Sequence, residues 1–147
     1  MRNGIYTFYE GRYHLEIKTI RDNDLQATLN FTGNDCNLAE FIKDPNSQNS
    51  YYRIIEIQNL DNAYKVETLG LYKGFTVSVF SLEQADMLRI NSSDKNSLEL
   101  GLIDMHNGLY SNDIKKDELD KCWEIRSPAL DLKMPPIKKK EVLFANR

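Results

Sequence analysis

An internal repeat is the feature of this sequence that most constrains its fold. The segment YEG at 9–11 returns as YKG at 72–74, each time between two short β-prone runs and at a spacing of 63 residues. LDNAYKVE at 60–67 is matched by LDKCWEIR at 119–126, with its apolar positions in register and a spacing of 59. Collinear blocks that share one length difference favour duplication over chance. We therefore predict two similar halves, at about 4–68 and 69–128.

The spacing of apolar residues predicts antiparallel strands in both halves. Around each Tyr-x-Gly segment, apolar and polar residues alternate on both sides of a tight turn, which is typical of a half-buried hairpin. The predicted strands are 5–9, 13–17, 25–31 and 52–57 in the first half, and 70–72, 75–80, 87–90 and 109–114 in the second.

Short helices are expected between these strands. Asn37 and Asp117 are good N-caps for helices at 38–42 and 117–123, and further helical turns are expected near 98–102 and before Ala63. Short helices beside antiparallel strands define an α+β fold. We predict one α+β domain over 1–132, whose halves pack around a pseudo-twofold core. The candidate core residues are Tyr13, Phe41, Phe75, Val77 and Trp123.

Charge is distributed unevenly along the chain. The net charge is −3, and residues 133–147 carry five basic side chains against Glu141, so that 1–132 holds −7. Pro135 and Pro136 oppose a helix or a central strand, and we therefore predict that 133–147 is a basic, flexible tail. An acidic body repels phosphate backbones, so direct nucleic-acid binding is disfavoured and a basic partner is favoured.

The cysteines and the N-terminus bear on compartment. No stretch has the apolar core of a signal peptide or the length of a membrane span, so we expect a cytoplasmic protein without membrane contact. In that compartment Cys36 and Cys122 are expected to be free thiols.

Residues that could carry bond-making chemistry are few. His14 fits an exposed strand position and His106 lies in a turn, and neither belongs to a recognisable catalytic arrangement. The cysteines and histidines are scattered singly and the seven glycines stand apart, so we predict no metal, no cofactor and no catalytic residues.

Carboxylates and aromatic residues offer a candidate binding surface. Acidic residues crowd around Trp123, where they suit either a solvated helix or a surface that holds a basic partner. Tyrosine and tryptophan supply contact area at low entropic cost, although the same side chains also serve a core. The candidate partner-binding residues are Asp117, Glu118, Asp120, Trp123, Glu124, Tyr110, Tyr51 and Tyr52.

The repeated Tyr-x-Gly, AYKVE at 63–67 and DELDKCWE at 117–124 together resemble small bacterial immunity proteins of polymorphic and contact-dependent toxin systems. The resemblance covers about residues 4–128. The chain departs from the pattern at Gly101-Leu102, where an aromatic residue usually follows the glycine, and at Arg126, where a lysine is usual. The resemblance implies an inhibitor that binds a cognate toxin domain, often a nuclease, and masks its active site.

Two other functions stay open at this point. A small hydrolase could use paired carboxylates near Trp123. A non-catalytic adaptor or structural module could associate through an edge strand. A monomer is favoured over an oligomer, but the sequence does not decide between them.

Overall fold

The protein is mainly antiparallel β sheet. The structure, a computed structural model, describes residues 1–21, 25–33, 36–47 and 49–147, with the backbone alone for Thr19 and Arg21. The strands are β1 Gly4–Tyr9, β2 Tyr13–Arg21, β3 Gln26–Thr32, β4 Ile42–Lys43, β5 Ser50–Glu56, β6 Tyr64–Tyr72, β7 Phe75–Ser81, β8 Met87–Ser92, β9 Ile103–Asp104, β10 Tyr110–Lys115, β11 Lys121–Pro128 and β12 Lys140–Ala145. The helical elements are the 3-10 helices η1 Ile57–Asn59, η2 Lys95–Leu100 and η3 Lys116–Glu118.

The prediction of an α+β fold is wrong, because every helical element in the described part of the chain is a 3-10 helix of three to six residues. Segments this short gain too few hydrogen bonds to sustain an α-helix. In the predicted helix at 38–42, Glu40 has a φ of 67°, which a right-handed helix does not admit. In the predicted helix at 117–123, only Asp117 and Glu118 are helical, and β11 begins at Lys121.

The predicted strands are confirmed as strands, and their turns explain why. Lys73 and Gly74 join β6 to β7 with φ values of 49° and 84°. Two successive positive φ angles are those of the type I′ turn that matches the twist of a hairpin, and glycine adopts them without a steric penalty.

The chain divides into two compact units. The N-terminal unit comprises Gly4–Lys65 and Ser127–Ile137, and the C-terminal unit comprises Met1–Asn3, Val66–Arg126 and Lys138–Arg147. The chain passes from one to the other near the predicted boundary at 68/69, but each unit also takes in pieces from elsewhere in the sequence.

Each unit has its own strand order and its own core. The order is β4-β5-β3-β2-β1 in the N-terminal unit and β9-β10-β8-β7-β6 in the C-terminal unit, where β11 pairs with β6 and β12. In both, the fourth strand is two residues long and pairs with the fifth. This shared order is a property of the fold, and duplication as its origin stays a prediction.

Buried apolar residues form one cluster in each unit, where the sequence predicts a shared core. The N-terminal cluster centres on Leu15, Ala27 and Leu29, and the C-terminal cluster on Val79 and Ile90. Of the predicted core residues, Val77 is buried, whereas Tyr13, Phe41, Phe75 and Trp123 are half-buried. Size and apolarity identify a side chain that benefits from burial, but strand alternation decides which face it occupies.

The segment predicted as a flexible tail contains a strand. β12 pairs with β11 in antiparallel register, with Cys122 opposite Phe144 and Glu124 opposite Glu141. The structure thus has a β strand where the sequence predicts an extended, solvated arm.

Candidate binding site

A groove lies on one face of the sheet in the C-terminal unit, across β8, β10 and β9. Asn91 is paired with Ser111, and Ser111 with Ile103, so the three residues form a row on the same face. Arg89 and Asp113 form the next row. The groove encloses about 440 Å³ and is also lined by Met105 and Leu109.

The rim of the groove is aliphatic and exposed. Ile103, Met105 and Leu109 have 62%, 51% and 40% of their surface accessible, and we call them the aliphatic rim. Met105 and Leu109 are held by a backbone hydrogen bond from Met105 N to Leu109 O at 2.9 Å. Contiguous exposed apolar residues beside polar ones mark binding surfaces more often than single exposed residues do.

Local hydrogen bonds shape the loop that carries this rim. The carboxylate of Asp104 accepts a hydrogen bond from His106 N at 2.8 Å, and the amide oxygen of Asn107 accepts one from Leu109 N at 3.2 Å. Asp and Asn commonly stabilise turns in this way, two residues before the donor. The rim residues are therefore held in place by the fold of the free protein.

The base of the groove contains an unsatisfied polar atom. Asn91 Oδ1 is buried and has no hydrogen-bond partner in the part of the chain that the structure describes. A buried acceptor without a donor costs about 1–3 kcal/mol. Such a cost at the base of a groove indicates a place where a bound donor would be favourable.

Arg89 and Asp113 close one side of the groove with a bidentate ion pair. Arg89 Nε and Nη2 donate to the two carboxylate oxygens at 2.8 and 3.1 Å. The hydrogen bond from Arg89 lowers the pKa of Asp113, and the same bond raises the pKa of Arg89. Both groups thus stay charged at neutral pH, and because each satisfies the other, this side of the groove has no net charge.

The structure disperses the acidic residues that the sequence groups around Trp123. Asp117 and Glu118 are exposed on η3, and Glu118 accepts a hydrogen bond from Lys115 N at 2.7 Å. Asp120 is half-buried and pairs with Arg147 at 3.1 Å. Carboxylates that are already bonded within the unit are less available to a basic partner.

Glu124 is part of a buried ion-pair network. It is 4% exposed and accepts hydrogen bonds from Arg2 at 3.1 Å and Arg126 at 2.7 Å, while Arg126 also donates to Glu141 at 2.9 Å. Burial acts to raise the pKa of Glu124, but the hydrogen bonds from Arg2 and Arg126 together outweigh it and lower the pKa. A catalytic acid needs the opposite shift.

The aromatic candidates are divided between the two units. Trp123 lies on β11 between buried Cys122 and Glu124, with Lys140 Nζ 5.1 Å from its ring centroid. Tyr110 packs against the core of the C-terminal unit. Tyr51 and Tyr52 lie half-buried on β5 of the N-terminal unit.

Folding of the C-terminal segment also changes the charge balance. The C-terminal unit contains equal numbers of basic and acidic side chains, twelve of each, because Lys138–Lys140 and Arg147 belong to it. The net charge of −3 therefore resides in the N-terminal unit.

The two histidines belong to different units. His14 Nδ1 lies 2.6 Å from the hydroxyl of Tyr64, and its ring stacks on Phe8 at 4.7 Å, both within the N-terminal unit. His106 is exposed, and its Nδ1 lies 3.9 Å from Asp104 Oδ2.

No group of three or more His, Cys, Asp and Glu residues within the described residues could hold a metal ion. Cys36 and Cys122 are free, and burial raises the pKa of Cys122 to about 11.

The groove is not predicted by the sequence. Its residues fall within 89–113, on three strands and on the loop between β9 and β10, but only strand pairing brings them together. Asparagine, serine and an ion pair are also ordinary on a sheet surface. The available signal was three aliphatic residues flanking the Asn107-Gly108 turn, where a hairpin loop usually carries polar side chains.

These features define the class: an antiparallel β protein with an aliphatic-rimmed groove on one sheet. The chain belongs to the family described as uncharacterised conserved protein UCP033725, whose model matches residues 1–126. That span includes every residue that lines the groove and ends within β11. No curated protein and no solved structure matches the chain. The described part of the chain contains no helix long and apolar enough to cross a membrane.

Proposed function

We propose that this protein acts by binding another protein, and that the partner docks on the groove of the C-terminal unit. The observation that carries the proposal is the aliphatic rim of Ile103, Met105 and Leu109 beside the buried Asn91 Oδ1, which has no hydrogen-bond partner among the described residues. An apolar patch with a few fixed polar groups is the usual composition of a recognition site.

The free energy gained when a partner covers the aliphatic rim supports docking at the groove. Full burial of a large aliphatic side chain gains on the order of 1.5–3 kcal/mol. The rim side chains are 40–62% exposed, so covering each one gains about half as much, and the three together supply a central anchor for an interface. The Arg89–Asp113 pair lies beside this anchor without contributing net charge. Apolar burial, rather than attraction of opposite charges, is therefore the main source of affinity in this proposal.

The finer proposal is that the partner is a toxin domain and that binding, in the cytoplasm, neutralises it. The resemblance of the repeated Tyr-x-Gly and of 117–124 to immunity proteins supports it. The residues that contact the toxin are then those of the groove, in place of the acidic cluster around Trp123.

Comparative affinity purification tests the binding proposal. Tagged wild-type protein and the Met105→Glu variant are recovered from the native host, and co-purifying proteins are quantified by mass spectrometry. Val142→Glu is the matched control, because Val142 is exposed to 49%, against 51% for Met105, and also belongs to the C-terminal unit. The expected result is one partner at near-stoichiometric yield with wild type and Val142→Glu, and at least tenfold less with Met105→Glu.

A partner recovered equally with all three proteins would reject the groove as the docking site. The toxin proposal has its own test, in which the product of the adjacent gene is expressed alone and together with this protein. Growth arrest that is relieved by wild type but not by Met105→Glu supports it. An adjacent product that leaves growth unchanged, or arrest that wild type does not relieve, contradicts it.

A further inference from the structure

We infer that the groove recognises an extended segment of the partner, which inserts an uncharged aliphatic side chain among Ile103, Met105 and Leu109 and donates a main-chain N–H to Asn91 Oδ1. This inference rests on the proposed function and names the chemistry of the occupant.

The unsatisfied acceptor sets the first requirement. Asn91 is the penultimate residue of β8, paired with Ser78 on one side and Ser111 on the other, and its Oδ1 is buried with no donor among the described residues. Rotation about χ2 of asparagine is soft, so the amide can turn toward the groove when a donor arrives. A main-chain N–H is a donor that any extended segment except one with proline at that position presents.

The aliphatic rim sets the second requirement. A free volume of about 440 Å³ near three exposed aliphatic residues accommodates a branched side chain together with its main chain. A charged side chain in this position would lose part of its hydration without meeting an uncompensated opposite charge, because Arg89 and Asp113 neutralise each other.

The charge of the groove sets the third requirement. Both carboxylate oxygens of Asp113 are bonded to Arg89, at 2.8 and 3.1 Å, so the charge of each residue is balanced by the other. This side of the groove therefore offers no net charge to an incoming ion, and the site is complementary to a neutral segment. An acidic or basic anchor gains no net electrostatic attraction from this pair.

A capped single residue is the minimal probe of this chemistry. N-acetyl-leucine N-methylamide, which has two main-chain N–H groups and an isobutyl side chain, is titrated into the full-length ¹⁵N-labelled protein and followed by NMR. The matched probes carry aspartate or lysine in place of leucine. A ligand of this size binds with a Kd on the order of 1 mM at best, which the method measures.

The expected result is saturable shifts at the Asn91 side-chain amide and at residues 103–111, with the aspartate and lysine probes weaker by at least tenfold. Asn91→Ala should weaken the leucine probe about threefold to tenfold, the range of one hydrogen bond. The same variant should retain or exceed wild-type stability, because it removes an unpaired acceptor. If Asn91 had only a structural role, Asn91→Ala would lower the free energy of unfolding and leave the affinity for the leucine probe unchanged.

Three outcomes overturn the inference: no shifts at the groove with about 50 mM probe, equal binding of the charged probes, or an unchanged affinity in Asn91→Ala. They are distinguishable from failure of the proposed function. If Met105→Glu does not recover the partner but the wild-type protein does not bind the leucine probe, docking at the groove is supported and the proposed occupant is wrong. If the probe binds but Met105→Glu retains the partner, the assignment of partner docking fails.

Discussion

Arg126 and Glu124 lie two residues apart on the same face of β11, and Arg126 Nη2 donates to Glu124 Oε2 at 2.7 Å. Arg2, from the start of the chain, donates to the same carboxylate at 3.1 Å. A strand places residues i and i+2 side by side, so β11 itself sets this pair, whereas Arg2 depends on the tertiary fold.

Glu124→Gln should destabilise the protein by about 3 kcal/mol, because it leaves two arginines facing an uncharged amide in a buried network. The pKa of Glu124 lies below its ordinary value of 4.5 in the folded protein, so its contribution is complete above 4.5 and is lost as pH falls through the folded pKa. Urea unfolding from pH 7 to pH 3 should therefore show a gap between wild type and variant that narrows on the acid side.

Exposed Glu83→Gln serves as the control for this measurement and should follow the wild-type pH profile. A Glu124→Gln profile parallel to wild type across the whole range would show that the carboxylate charge does not contribute.

Deletion of residues 140–147 should lower the free energy of unfolding by more than about 2 kcal/mol. It removes β12, including Phe144, which packs against the core of the C-terminal unit, and Asn146, whose side chain donates to Leu119 O at 2.9 Å. Thermal and urea unfolding measure the change, and Lys139→Ala, an exposed position before β12, is the control. Unfolding curves that superimpose on wild type would support the flexible tail.

Gly70→Ala should cost about 1–3 kcal/mol through overpacking. A Cβ at this position would lie 2.9 Å from Val79 Cγ2 and 3.0 Å from Leu119 Cδ2, both shorter than an ordinary van der Waals contact between carbon atoms. The double variant Gly70→Ala/Val79→Ala should lose less free energy of unfolding than the two single variants lose together. The reason is that Val79→Ala removes one of the groups with which the new Cβ clashes. Strict additivity in urea unfolding would reject this account.

Asn62→Ala should destabilise the N-terminal unit by about 2–3 kcal/mol. Asn62 Oδ1 accepts from Phe8 N at 2.8 Å and Nδ2 donates to Phe8 O at 3.0 Å, so the side chain makes the two bonds that a paired strand would make. Hydrogen exchange at the Phe8 amide should accelerate in the variant. In Asn59→Ala, at an exposed position, protection of that amide should match wild type.

The sequence predicted the hairpins well because their causes are local. Two residues with positive φ between alternating strands restrict the pairing of β6 with β7 whatever lies elsewhere in the chain. The predicted helices at 38–42 and 117–123 were wrong because local signals alone do not decide them. Asp117 and Glu118 do lie in a helical turn, but it begins at Lys116, with Lys115 rather than Asp117 as the N-cap. A turn this short cannot compete with the pairing of Lys121–Pro128 into a sheet.

The candidate site could not be predicted from the sequence, because strand pairing is needed to bring its residues together. Asn91 and Ser111 become neighbours only when β8 pairs with β10, and Ile103 joins them only through β9. Composition could also not show that the basic residues at 138–147 belong to the C-terminal unit.

The sequence by itself thus determined the strands and tight turns, which depend on residues within a few positions of one another. The tertiary structure alone decided the sheet orders, the burial of Glu124, the strand β12 and the groove. Pairing between distant segments selects the face and register of each side chain, and that selection depends on burial summed over a whole unit rather than on any local preference.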